Sequence, residues 1–279
     1  MLKDLRTVLT GLAFPEAMRW HNGELWFSDV LAGKVFRADI DTGRYFEVVS
    51  IPPVVSGLGW LSNGDLLAVD CEARQVISID SAGAKKVYVD LSETWQYPAN
   101  DMLVDEDGTA WIGGYGFNPE TESPKESFLA RYKGGVLDFP IDSLVFPNGM
   151  ARLDANHLVV AETFADRLTI IETDSLGEVR IAKRITLPAN STPDGLTVDE
   201  EGNIWVASAY GEAVLLVDPV SGVVERAIEI RGRGVFDCVF GGTELRTLFI
   251  AVSDVDESKA LVNLPGEVLA ISLGVRGRQ

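Results

Sequence analysis

Residues 192–207 read TPDGLTVDEEGNIWVA. An apolar stretch opened by Pro193-Asp194-Gly195 gives way to the polar turn Asp199-Glu200-Glu201-Gly202, and a second apolar stretch carrying Trp205 follows. Two short strands joined through a glycine that can take positive φ are the minimal reading of such a segment. The plan recurs along the chain in PEAMRWHNGELWFSDV (15–30), SGLGWLSNGDLLAVDC (56–71), ANDMLVDEDGTAWIGG (99–114), PNGMARLDANHLVVAET (147–163) and FDCVFGGTELRTLFIAVS (236–253). The residues that open the first stretch are Glu16, Gly57, Asn100, Asn148, Asp194 and Asp237, spaced 41, 43, 48, 46 and 43 apart. A repeat of that length, built from paired strands and hairpin turns, marks the blades of a propeller.

Each unit continues into further strand-like segments, GKVFRADI and RYFEVVS in the first, AVLLVDP and VVERAIEI in the fifth. No window sustains helical periodicity with caps, which removes an alternating β and α architecture. The reading is all-β: one domain over residues 1–279, a six-bladed β-propeller of four-stranded antiparallel blades. Residues 4–10, DLRTVLT, precede the first unit and are expected to close the ring beside GEVLAISLG at 266–274. Closure of this kind leaves no free sheet edge. The longest insertion, FNPETESPKES at 117–127, is expected on the rim as a mobile loop over the channel.

Composition narrows the partners. The chain is 46% apolar and 24% charged, with a formal net charge of −18. Such a field repels nucleic-acid phosphates and anionic lipid, so neither a nucleic acid nor a membrane is expected as a partner. Residues 1–20 hold no apolar run of signal-peptide length and no segment approaches a membrane span, which reads as a soluble, cytoplasmic protein. Cys71 and Cys238 stand far apart in sequence and read as buried thiols. His21 and His157 lie in outward hairpin turns, which leaves no histidine for a Ser-His-Asp triad.

The first strand of a propeller blade lines the axis, so the six opening positions converge at one mouth of the channel. None of them is apolar, and all are poor strand formers, a sacrifice of local propensity expected at a functional site. Their carboxylate and amide oxygens are hard donors suited to Ca²⁺, Mg²⁺ or Mn²⁺. The second strands return to the same mouth and end at Asp29, Asp70, Gly113-Gly114, Glu162, Ser208 and Ser253, which are expected to back the ligands.

On these residues the chain resembles the gluconolactonase / regucalcin (senescence marker protein) family of six-bladed propellers. FPE at 14–16, FPNGM at 146–150, TPDGLTVDEEGNIWVA, CVFGGTELRTLFIAV at 238–252 and LGVRG at 273–277 carry the resemblance, the last as a closing strand. It implies one divalent cation held by Glu16, Asn148 and Asp194, with Ca²⁺ first and Zn²⁺, Mn²⁺ or Mg²⁺ as alternatives. It further implies hydrolysis of a small lactone, with Asn100 near metal and substrate and Asp194 as the general base. A carboxylate bound to a dication is a weak base, so Asp101 and Asp237 stand as replacements. The family's arginine two residues before the third-blade asparagine is Pro98 here, and Asp237 stands where a small hydroxyl residue is usual. Asn100, Asp101, Tyr115, Phe117 and Phe164 are the expected substrate contacts, and together with Trp95 and Tyr97 the aromatic residues point to an apolar pocket. Two alternatives stay open: a phosphotriesterase-like or aryl-ester hydrolase at the same site, and a non-enzymatic calcium-binding or interaction propeller. A monomer or weak homo-oligomer acting on a small molecule completes the expectation.

Overall fold

The computed structural model describes residues 5–278. Its strands form six four-stranded antiparallel sheets. Their inner strands are Pro15–His21, Val55–Trp60, Ala99–Val104, Pro147–Arg152, Pro193–Val198 and Gly234–Gly241. The first five blades are built from consecutive strands. The sixth is composite, with Arg6–Leu12 completing the sheet outside Gly266–Ser272. The six-bladed propeller closed by the N-terminal strand is therefore the observed fold.

The closing strand runs later than residues 4–10, and Asp4 lies outside the described residues. Two register shifts, between Thr7 and Leu9 and between Thr10 and Leu12, turn Leu9 and Leu12 onto one buried face although they are three apart. Strict alternation could not reveal that pairing. LGVRG is not a closing strand: the sheet ends at Ser272, and this tail makes a single bridge, Asp199 to Gly277.

Apolar cores lie between blades. Leu9, Leu12, Met18, Phe27, Phe249 and Val268 fill the joint between blades six and one. Corresponding clusters join blades one and two around Val35 and Leu58, two and three around Val69 and Met102, and three and four around Trp111 and Met150. Val159 with Leu196 and Trp205 with Phe240 complete the ring. Each buried Leu or Val contributes about 1.5–3 kcal/mol, so the ring is held by six joints of similar kind.

Near the axis the inner strands press against one another. A methyl group on Gly57 would stand 2.5 Å from Met102 N, and one on Gly149 would overlap Asp194 O. The glycine after Asn148 thus serves the closeness of the next blade rather than a turn. Cys71 and Cys238 are free and buried. Among the described residues no helix is long and apolar enough to cross a membrane.

Candidate metal and substrate site

Five inner strands begin with the same device. The backbone N–H just beyond the second strand donates to a carbonyl in the segment approaching the inner strand: Val30 to Phe14 (2.9 Å), Cys71 to Val54 (3.2 Å), Tyr115 to Pro98 (3.1 Å), Thr163 to Phe146 (3.3 Å) and Ala209 to Thr192 (3.0 Å). Two residues after each of those carbonyls stand Glu16, Ser56, Asn100, Asn148 and Asp194. The equivalent position in blade two is therefore Ser56, not Gly57, and the Ser56 hydroxyl is buried without a hydrogen-bond partner among the described residues. The sixth inner strand begins at Gly234, so Asp237 lies inside it rather than at its opening.

The ladder loses register just after Glu16, between Glu16 and Arg19, and across the other four positions, between Val55 and Leu58, Ala99 and Met102, Pro147 and Met150, and Pro193 and Leu196. A bulge of this kind re-aims side chains at a sheet edge. Backbone strain accompanies it. Ala17 (φ 49°), next to Glu16, and Phe146 (φ 51°) and Thr192 (φ 40°), two residues before Asn148 and Asp194, take left-handed conformations. For a β-branched residue that conformation is a true outlier, sustained only by surrounding structure.

The surrounding structure includes the second-strand ends. Asp29 accepts from Ala13 N (2.9 Å) and Phe14 N (2.7 Å). Glu162 accepts from Val145 N (2.7 Å) and is paired with Arg167 (2.6 Å). Ser208 Oγ donates to Ser191 O, and Ser253 Oγ to Ala13 O (3.1 Å). These residues grip the segments that carry the candidate ligands. Asp70 differs, accepting from Ala73 N in its own turn (3.1 Å).

Glu16, Asn100, Asn148 and Asp194 come together. Asn100 Nδ2 donates to Asn148 Oδ1 (3.0 Å), and Asn148 Nδ2 donates to Thr163 Oγ1 (3.2 Å). The Asn148 amide is therefore held at both ends. Asn148 and Asp194 are buried, at 5% and 6% exposure. Burial pushes the Glu16 carboxyl well above its usual range, and the charges of Asp194, Asp237 and Asp101 push it further. Asp194 is raised in the same way, by burial first and then by Asp237 and Asp101. Neither group forms an ion pair among the described residues; the nearby Arg19 is paired with Asp101. No cluster of three His, Cys, Asp or Glu side chains stands in metal-binding arrangement among the described residues. The candidate donor set is a mixed one, two carboxylates and an amide.

Asp101 and Asp237 lie one layer deeper, with Arg19. Arg19 Nη2 donates to Asp101 Oδ1 (2.8 Å) and Met102 O (2.7 Å), and Nη1 to Met18 O (2.9 Å). Asp101 Oδ1 also accepts from Met102 N (2.7 Å). Asp237 accepts from Cys238 N (2.7 Å) and Met18 N (2.5 Å). Burial raises its pKa to about 7, with Arg19 opposing. Sequence reasoning passed over Arg19, although a cation inside the apolar inner strand PEAMRWH was its visible signal.

Aromatic side chains wall one side. Tyr115 stacks on Phe146 at 3.8 Å between centroids, Phe146 meets Phe164 at 5.6 Å, and Phe117 backs Phe164 edge-on at 5.3 Å. Phe117 is 1% exposed and supports the wall rather than presenting a surface. Burial raises the Tyr115 hydroxyl pKa, and the Glu16 and Asp194 charges add to it. Trp95 Nε1 donates to Tyr115 O (2.8 Å), whereas Tyr97 bonds Glu122 in the 117–127 insertion (2.9 Å). Phe14 and Phe236, 4.4 Å apart, pack with Val30 and Ala209 in a second apolar group. Phe146 and Thr163 were not legible in advance, because their roles arise from contacts made only in the folded ring.

A cavity of about 1430 Å³ opens elsewhere, on the hairpin-turn side of the channel, lined by Arg19, Trp60, Trp111, Arg152 and Phe240 among others. None of the candidate ligands lines it. His21, stacked on Trp60 at 3.9 Å, belongs to that end, and His157 pairs with Asp154. That cavity is therefore not where the convergent oxygens are.

Comparison with known proteins agrees with this architecture. The sequence model of the SMP-30/Gluconolactonase/LRE-like region matches residues 14–254. Regucalcin of Bos taurus is 33% identical over 273 residues, 92% of this chain and 89% of that protein. Pentonolactonase XacC of Haloferax volcanii is 26% identical over 257 residues, 90% of this chain and 85% of its own length. The crystal structure of a calcium-binding protein, regucalcin, from Agrobacterium tumefaciens superposes with a TM-score of 0.79 at 20% identity, covering 96% of this chain and 92% of that one. The chain belongs to the SMP-30/gluconolactonase/LRE-like family.

Proposed function

We propose that this chain holds one divalent cation through Glu16, Asn148 and Asp194 and hydrolyses a small lactone beside it. The observation that carries the reading is the pair of carboxylates, Asp194 buried and Glu16 half-buried, with no ion pair of their own among the described residues, next to an amide fixed by Asn100 and Thr163. Two like charges buried together are strongly unfavourable until a cation joins them. The oxygen-only donors suit Ca²⁺ first, with Zn²⁺, Mn²⁺ and Mg²⁺ as alternatives. The relation to a pentonolactonase supports a lactone as substrate.

When bound, the cation supplies Lewis acidity toward the ester carbonyl and acidifies an adjacent water. The protein's share is positioning and proton handling. Asn100 stands within hydrogen-bond reach of Asn148 and presents a neutral donor to a substrate oxygen without reducing the site's charge. Asp194 accepts the proton of the attacking water. Asp237, with its pKa near 7 and both oxygens facing backbone N–H groups, is the reserve acceptor one layer below. Tyr115 and Phe164 cover an apolar face of the ring and exclude water from it.

The aromatic wall, together with Pro98 in place of an arginine donor, favours a second reading on the same site: an aryl ester or phosphotriester. A panel decides. Sugar and alkyl lactones, aryl acetates and paraoxon-type esters are offered to chelator-stripped protein before and after adding each cation. Lactone turnover that disappears with EDTA and returns with Ca²⁺, Mn²⁺ or Zn²⁺ is expected. Full turnover in verified cation-free protein overturns the cation's role, and turnover of aryl or phosphate esters alone overturns the lactone.

A further inference from the structure

Ser253 ends the second strand of blade six on the face of the candidate ligands, and residues 254–265 bridge from it to the next strand. This segment holds a 3-10 turn at Glu257–Lys259 and a helical turn at Ala260–Asn263. One side chain fastens both of its feet. Arg233 Nε lies 3.9 Å from Asp254 Oδ1, its Nη1 lies 3.4 Å from Glu267 Oε2, and its Nη2 donates to Pro265 O. Asp256 Oδ1 accepts from Ser258 N (3.0 Å), and Ala260 is the buried residue of the arch's helical turn. The segment is thus a strapped arch, and Glu257 sits at a defined place on it.

Both feet of the arch stand on the segment that leads into Glu16: Ser253 Oγ donates to Ala13 O (3.1 Å), and a methyl group on Gly266 would lie 2.5 Å from Pro15 Cδ. Glu257 is an exposed residue, and partial burial raises its pKa. Its charge is felt at Glu16, Asp194, Tyr115 and Tyr210, which belong to three different blades. No ion pair engages Glu257 among the described residues, whereas Arg233 faces Glu267 at 3.4 Å and, without a hydrogen bond, Asp254 at 3.9 Å. The arch therefore delivers one unneutralised carboxylate to the rim of the site.

We propose that Glu257 is the charge filter of this mouth, favouring substrates without an acidic group and speeding release of the carboxylate product. The inference rests on the hydrolase reading above and names its substrate class. Lactone opening breaks the ring C–O bond, forms a C–O bond to water, and yields a hydroxy-carboxylate and a proton. One negative charge appears where none was, beside a carboxylate that repels it. A unit charge at such a mouth shifts the affinity of a like-charged ligand by about three- to tenfold at low salt, and less as salt screens it.

The test uses the full chain saturated with Ca²⁺, as wild type, Glu257→Gln and Glu257→Lys. The first readout is kcat/KM for three lactones sharing one ring and differing in a neutral, carboxylate or ammonium arm. The second is the Kd of gluconate, by calorimetry. The carboxylate-to-neutral ratio of kcat/KM is expected to rise about three- to tenfold in Glu257→Gln and further in Glu257→Lys, with the ammonium ratio falling. Gluconate is expected to tighten in the same order, and 0.5 M salt to compress every difference. Unchanged ratios in a wild type that does open lactones overturn the filter alone. If the wild type opens none, the hydrolase reading falls, and calorimetry still decides Glu257: equal or absent gluconate binding in wild type and Glu257→Lys overturns it.

Discussion

Glu16 and Asp194 are held in a state that costs the empty protein stability. Asp194 is buried and Glu16 half-buried among like charges, and both are pushed toward protonation. Asp194→Asn keeps the shape and removes one charge. The cation-free variant is expected to melt a few degrees above wild type, because relieving an unpaired buried charge is worth about 1 kcal/mol or more. Its cation affinity is expected to fall by about 100-fold or more, which titration calorimetry reads directly. A variant that binds Ca²⁺ as tightly as wild type removes Asp194 from the ligand set. Thr163 provides a finer test. Thr163→Val deletes the acceptor that orients the Asn148 amide, and about a 10- to 100-fold loss of cation affinity is expected with little change in melting temperature. At this scale the convergence of the candidate ligands was legible, since Glu16, Asn148 and Asp194 are polar residues opening apolar stretches. Thr163 and Ser56 were not, because a hydroxyl near a strand end says nothing about what it will face.

Among the elements, the inner strands carry the most constraint. Their bulges, left-handed residues and tight spacing all act on the same few positions. Gly149→Ala places a methyl group against the Asp194 backbone of the next blade, where no flexible side chain can yield. A loss of about 1–3 kcal/mol is expected by chemical denaturation, with a loss of cation affinity because Asp194 must shift. Equal stability with unchanged affinity shows that the strands are not packed so closely. Arg19 couples blade one to blade three across the glycine-bearing strand of blade two. Arg19→Met leaves Asp101 without its partner, and a loss of about 2 kcal/mol is expected, discounted from the fully buried case because the pair is partly exposed. The strands themselves were legible from their hairpin turns and alternation. The bulges were not, because one extra residue in a strand leaves the composition of the stretch unchanged, and this is why the openings of blades two and six were displaced in the sequence reading.

For the whole molecule, the fold was legible because a repeat multiplies a weak local signal six times, and only details that break the repeat, such as the closing strand's shift to Leu12, escaped it. The acidic surface was equally plain, but not its convergence inside the channel. That convergence makes stability depend on pH in a particular direction. Glu16, Asp194 and Asp237 have folded pKa values above their unfolded ones, Asp237 near 7. The cation-free native state therefore holds more protons than the unfolded chain between about pH 4 and pH 7, and stability falls as pH rises through that window. Asp107 and Glu122, lowered to about 2, act in the opposite sense only below it. Thermal melts from pH 5 to pH 8 in EDTA are expected to drop steadily, and those in saturating Ca²⁺ to stay level, because ligation needs the carboxylates ionised and so gains as they deprotonate. The net charge of −18 also repels itself more at high pH, but that surface contribution is screened by 0.5 M salt and the buried one is not. A decline in EDTA that survives salt and vanishes with Ca²⁺ locates the responsible charges inside the channel. A flat EDTA profile means that Glu16, Asp194 and Asp237 do not share one buried site.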